Sequence, residues 1–198
     1  MKYYSTQSGF SLVETLVAIS ILLVVIVGPM SISSSAAKST SFASEQVIAF
    51  FLAQEGAEMA QKARDDLLLR SFIDPSDPSY EPTPWADFVD TSGGAYDECF
   101  TATGCGLELN TDADGTLKTP ILCTGSSCEL YFNENADRSR YTHVSAGATS
   151  TPFTRIIFMT ENDNREVEVI SRVYWRTGSQ RSSQEVEVVT YLFNVYGS

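Results

Sequence analysis

An apolar run from Phe10 to Val27 carries a single carboxylate, Glu14, and no other feature constrains the chain as strongly. The run is about as long as a membrane-spanning helix needs to be. Inside hydrocarbon a charged Glu14 would cost about 3 kcal/mol, so the residue calls for a partner. Cutting the peptide bond between Gly9 and Phe10 would create one. The new ammonium of Phe10 would lie one helical turn before Glu14, and in a bundle of identical helices it could pair with a neighbour's Glu14 at equal depth. Such a pair would set the axial register between subunits.

The stretch Ser8-Gly9-Phe10-Ser11-Leu12-Val13-Glu14 resembles the class III signal of type IV prepilins and pseudopilins. It has a short polar leader, glycine before the cut, phenylalanine after it and glutamate at the fifth mature position. The resemblance implies that a membrane peptidase cleaves after Gly9 and methylates the amino group of Phe10. The leader carries Lys2 as its one positive charge, in line with a cytoplasmic amino terminus. A secretory signal cut near Ser35-Ala36-Ala37 would have a shorter apolar region and no internal glutamate. A plain single-span anchor explains the hydropathy, but neither the Gly-Phe junction nor the glutamate spacing.

The chain has 198 residues and a net charge of -12, which fits one modest domain after a helix and argues against general affinity for nucleic acid. Basic residues recur late, at Arg155, Arg165, Arg172, Arg176 and Arg181. They alternate with Glu166, Glu168, Glu185 and Glu187, which reads as a solvated face of mixed charge.

Past Gly28-Pro29 the chain turns serine-rich. A second helical stretch follows from Ser44 to Phe72, ended by Asp74-Pro75. At helical spacing Ile48, Ala49, Leu52, Ala53, Gly56, Met59, Ala60, Ala63 and Leu67 share one side, while Gln54, Glu55, Glu58, Gln61, Lys62 and Asp65 share the other. Proline removes a backbone donor and crowds the preceding turn, so Gly28 and Pro29 mark an expected helix break. The resemblance, too, implies unwinding there.

The segment 74–152 is rich in turn residues and holds all four cysteines. Three pairings are possible. Export into an oxidising compartment favours two local disulfides, Cys99 with Cys105 and Cys123 with Cys128, over a zinc site, for which the spacing is wrong. Between the pairs, Asn110, Asp112 and Asp114 precede Gly115 at alternate positions, as calcium ligands do. Ile121 occupies the place where a calcium loop needs its final acid, so a hairpin turn between Leu107-Glu108-Leu109 and Leu117 is the preferred reading and no cofactor is expected.

From Thr154 the period changes to two, giving strands over 154–160, 165–177 and 183–196. Val167, Val169, Val173 and Trp175 share one face, and Val186, Val188 and Leu192 alternate with glutamates, as a half-buried antiparallel sheet requires. The small-residue face of the second helical stretch would cover it. The expectation is an α+β fold, pilin-like by resemblance: leader 1–9, membrane and assembly helix 10–29, amphipathic extension 30–73, and a head 74–198 with variable loops 74–152 and a sheet 153–196.

Nothing in the sequence assembles a catalytic site. His143, the one histidine, sits in a loop of small polar residues and reads as a surface side chain. The resemblance implies a structural subunit, a minor pilin of a type IV pilus. It would be held in the cytoplasmic membrane by one span with its amino terminus inside, then extracted into a surface filament. Implied partners are membrane lipid, the prepilin peptidase and methyltransferase, the inner-membrane assembly platform and other pilin subunits. Alternatives are a pseudopilin of a secretion or DNA-uptake system, residing in a cell-envelope pseudopilus, and a membrane-anchored binding module using Tyr80, Trp85 and Tyr96. Those aromatics more often pack against their own loop.

Overall fold

The computed structural model describes residues 9, 11–110, 115–134, 139–177 and 182–195. Two compact units divide the chain between Ser44 and Glu45. Helix α1, Leu12–Arg70, carries Glu14 in its first turn and Arg70 in its last, each placed to complement the backbone dipole. The expected break at Gly28-Pro29 is not formed, because α1 continues with Pro29 inside it. One missing donor is tolerated where the turns on either side keep their hydrogen bonds. The serine-rich stretch after it is helical too, so the two expected helices are one.

In the second unit the α1 positions Ala49, Leu52, Ala53, Gly56, Ala57, Met59, Ala60, Ala63 and Leu67 are buried. The expected stripe is present with two changes: Ala57 joins it and Ile48 stays at its margin. The helix ends at Arg70 rather than at Phe72. Two short-range bonds tighten the exit, Ser71 N to Leu68 O (3.1 Å) and Phe72 N to Leu69 O (3.2 Å).

The loop-rich region contains a short helix α2, Pro84–Val89, and a single 3₁₀ turn, Asp97–Phe100. It also supplies four short strands: β1 Cys105–Gly106, β2 Ile121–Leu122, β3 Glu129–Asn133 and β4 Arg140–Thr142. The long strands follow as β5 Thr149–Asp163, β6 Glu166–Trp175 and β7 Gln184–Phe193. Every pairing among the seven is antiparallel. β5 pairs with β6 along one edge and shares the other between β3 and β1, and β7 pairs with β6. The structure is therefore α+β, a long amino-terminal apolar helix with a carboxy-terminal antiparallel sheet.

Both local disulfides form. Cys99 with Cys105 ties the 3₁₀ turn to β1 (Cα–Cα 4.5 Å), and Cys123 with Cys128 closes the turn between β2 and β3 (Cα–Cα 5.3 Å). Gly104, between the first pair, has φ +68°, and a Cβ there would lie 2.7 Å from the Ile157 carbonyl oxygen. Glycine is required by both conformation and space.

In the head core Met59, Ala60, Ala63 and Leu67 of α1 join Ile157, Met159, Val167, Val169 and Leu192 from the sheet. Gly56 allows the closest approach. A Cβ there would lie 2.3 Å from Ser171 Oγ and 3.0 Å from Arg155 Cδ. Trp85 and Tyr96 pack around buried Phe88 at centroid distances of 5.8 and 5.9 Å, so these aromatics serve their own loop. The Trp85 indole also donates to Asn164 O at 3.0 Å.

Candidate assembly segment and a buried polar cluster

Every α1 side chain from Leu12 to Ser41 is exposed, including Leu12 (74 %), Val24 (74 %) and Val27 (61 %). Among the described residues α1 is the one helix long and apolar enough to cross a membrane, and none of its most apolar stretch is buried. The polar residues within this stretch close bonds inside the helix. Thr15 Oγ1 donates to Leu12 O (2.8 Å) and Ser20 Oγ to Val17 O (2.8 Å). They can therefore enter lipid without an orphaned donor.

Glu14 differs. Its side chain is exposed and makes no hydrogen bond or ion pair among the described residues, leaving one carboxylate on an otherwise apolar surface. Gly9, ahead of the helix, is exposed and a Cβ on it would meet nothing within 4 Å, while Phe10 lies outside the described residues.

The head holds a second concentration of polar chemistry, which the sequence did not announce. Arg155, expected on a solvated face, is fully buried. Its Nη1 donates to Glu55 Oε2 (2.7 Å) and Leu52 O (3.4 Å), and its Nη2 to Leu107 O (3.1 Å). One guanidinium thus joins α1, β5 and the segment after β1. Arg172 does match the expected mixed-charge face, pairing with Glu187 and lying 5.4 Å from the Phe158 ring centroid.

Glu108 is 6 % exposed. It accepts from Thr142 Oγ1 (2.7 Å), Lys118 Nζ (2.9 Å) and His143 N (3.1 Å). Burial disfavours its charge, but these three donors outweigh burial and hold its pKa below the ordinary glutamate value. His143 is likewise not a surface residue. Its Nδ1 lies 3.2 Å from Glu129 O, and its Nε2 is sealed from water without a partner. A carbonyl only accepts, so Nδ1 carries the proton and Nε2 is bare. Desolvation, then the nearby Arg155 charge, lowers the His143 pKa to about 4. Gly106 makes room for the ring, since a Cβ there would lie 3.0 Å from Nε2.

The hairpin expected around the acidic turn has its flanks in place. Leu109 bridges Leu117, and Asn110 N donates to Thr116 O at 2.6 Å. Asp112 and Asp114, the other suggested calcium ligands, lie outside the described residues.

Residues 4–28 match the family model described as the prokaryotic N-terminal methylation motif. The chain carries a prepilin-type signal segment. This segment includes Gly9, Phe10 and Glu14, and it is the signal of a type IV pilin-like or pseudopilin precursor. No curated protein and no solved structure matches the chain. The prepilin signal and the exposed apolar helix that follows it form the candidate assembly segment. The buried cluster around Glu108, His143 and Arg155 belongs to the architecture of the head.

Proposed function

We propose that this chain is a structural subunit, a minor pilin, whose work is assembly rather than catalysis. The observation that carries the reading is the methylation motif at residues 4–28, which overlaps the start of α1, where every side chain from Leu12 to Ser41 is exposed. In this reading a prepilin peptidase removes residues 1–9, cutting between Gly9 and Phe10, and Phe10 is N-methylated. Residues 10–29 hold the subunit in the cytoplasmic membrane with the amino terminus inside. Residues 30–73 extend the helix and residues 74–198 form the exported head. Extraction by an inner-membrane platform exchanges lipid contacts for contacts with other subunits.

Glu14 supplies specificity. An exposed carboxylate in lipid gains from any fixed cation at its depth, and the methylated ammonium of a neighbouring Phe10 is such a cation. Pairing there docks a subunit in register. The acidic head makes nucleic acid an unsuitable partner. The test is Glu14→Val in cells able to assemble the filament. The variant should reach the membrane and be cleaved, but be missing from, or at least about tenfold depleted in, sheared surface material. Normal incorporation would remove the role assigned to Glu14.

A further inference from the structure

The sheet is open on one side. Among the described residues β7 pairs only with β6, over the whole of Gln184–Phe193, so its outer edge presents a row of backbone donors and acceptors, of which Phe193 O already accepts from Arg64 Nη1 (3.4 Å). Natural edge strands are usually guarded by charge, proline or a bulge. Here Glu185 and Glu187 guard the first half. The run from Val188 to Phe193 has no charge and no proline, and its pairing with β6 shows no register shift.

One cavity lies along this edge and another at its end. One, of about 310 Å³, is bounded by Val188, Val189 and Thr190 on β7 and by Phe50, Ala57 and Glu58 on α1. The other, of about 220 Å³, is bounded by Phe193 and Val195 together with Leu68, Phe72 and Trp85. On β7 the inward positions are Val186, Val188, Thr190 and Leu192, which face Val173, Ser171, Val169 and Val167 of β6. A strand added outside β7 would send every second side chain inward, between the sheet edge and the flank of α1. The first cavity occupies that space, and the second lies against Phe193, the last residue of β7, and Val195 just past it.

The walls state what would fill them. The second cavity is lined by two phenylalanines and a tryptophan, and its one cation, Arg64, is already held by Asp65 (2.6 Å) and by Phe193 O (3.4 Å). The first contains Glu58, whose carboxylate accepts the Gln54 amide (3.1 Å), and no basic residue lines it. A second copy pairing through its own β7 could not answer this charge, because Gln184–Phe193 contains glutamate and no Lys or Arg.

We propose that the free edge of β7 is a docking site for an extended segment of a different protein, added as an antiparallel eighth strand. The segment places a bulky apolar side chain against Phe72 and Trp85, and a Lys or Arg against Glu58. The cavities are lined by chain segments about five residues apart, Val188–Thr190 on β7 and Phe193–Val195 at and past its end, so with two-residue alternation the two anchors stand about four positions apart, the apolar one first.

The test uses the full chain in detergent micelles with a synthetic peptide of about nine residues. The peptide alternates threonine with apolar residues and carries phenylalanine followed about four positions later by lysine. Hydrogen exchange read by mass spectrometry should slow at least about tenfold across Gln184–Phe193 when the peptide is added. Replacing the peptide lysine by glutamate should weaken binding about tenfold or more, and Glu58→Lys should restore it for the glutamate peptide. Three results would overturn the proposal: no protection of β7 at about 1 mM peptide, equal binding of the lysine and glutamate peptides, or concentration-dependent protection of β7 without peptide. The last would make a second copy the occupant.

Discussion

Acid should loosen the head through His143, in a window that opens near pH 6.5, above the ordinary carboxylate range. The histidine ionises near 6.5 in an unfolded chain and at about 4 in the folded one. The folded state therefore binds fewer protons between these values, and stability falls as pH is lowered through that window. A gap of that size corresponds to at most about 3 kcal/mol, all of it present above pH 6.5 and fully lost below pH 4. The physical reason is specific. Protonation adds an N–H at Nε2, where no acceptor is placed, beside the buried Arg155 guanidinium. Glu108 acts in the same direction but lower, since its lowered pKa puts its loss below the ordinary glutamate range. Denaturant titrations of the full chain in micelles, followed by tryptophan fluorescence, would measure this. Both tryptophans, Trp85 and Trp175, lie in the head. The comparison is His143→Asn, whose side-chain amide can still donate to Glu129 O but does not titrate. Wild type should lose about 2 to 3 kcal/mol between pH 7 and pH 4.5 and the variant under about 1. Equal slopes in the two proteins would refute the assignment.

Three further outcomes follow from the packing. Gly56→Ala should destabilise the head by about 1 to 2 kcal/mol despite alanine's better helix propensity, and Ser171→Ala in the same chain should recover most of that loss, as a double-mutant cycle would read. Arg155→Met should cost about 2 to 3 kcal/mol in denaturant unfolding, because Leu107 O loses its donor, whereas Glu55, 40 % exposed, can rehydrate. Replacing Cys99 and Cys105 by alanine should cost more than replacing Cys123 and Cys128. Each short loop contributes about 2 kcal/mol by chain entropy, but both sulfurs of the first pair are fully buried and would leave a cavity. Equal midpoints for the two variants would contradict that ranking.

How far the sequence could be read depended on how local each signal was. The small-residue stripe of α1 and the alternation in β6 are periodic over many residues, and both are present in the structure. β5 was harder. Ile156, Ile157, Phe158 and Met159 are apolar on both faces, so nothing in the run says which phase points inward, and Arg155 was read as solvated when it shares its face with buried Phe153, Ile157 and Met159. Strands β1 to β4 are too short to carry a period. His143 reads from sequence as a surface side chain because the groups that bury it, Gly106, Glu108 and Glu129, are all distant in sequence. Gly28-Pro29 was over-read, since one proline removes one hydrogen bond and α1 keeps the rest. The prepilin-type signal was the most legible part, because its residues are consecutive, and the family match at residues 4–28 spans Gly9, Phe10 and Glu14.

The central claim is that the chain is processed and then assembled through its amino-terminal helix. Intact mass and amino-terminal analysis of the protein recovered from membranes and from sheared surface material test this directly. The account predicts a chain beginning at N-methylated Phe10 in the sheared fraction. The same species confined to membranes would contradict the pilus role and favour a pseudopilus. An amino terminus near Ala37, or an uncut Met1, would contradict prepilin processing altogether.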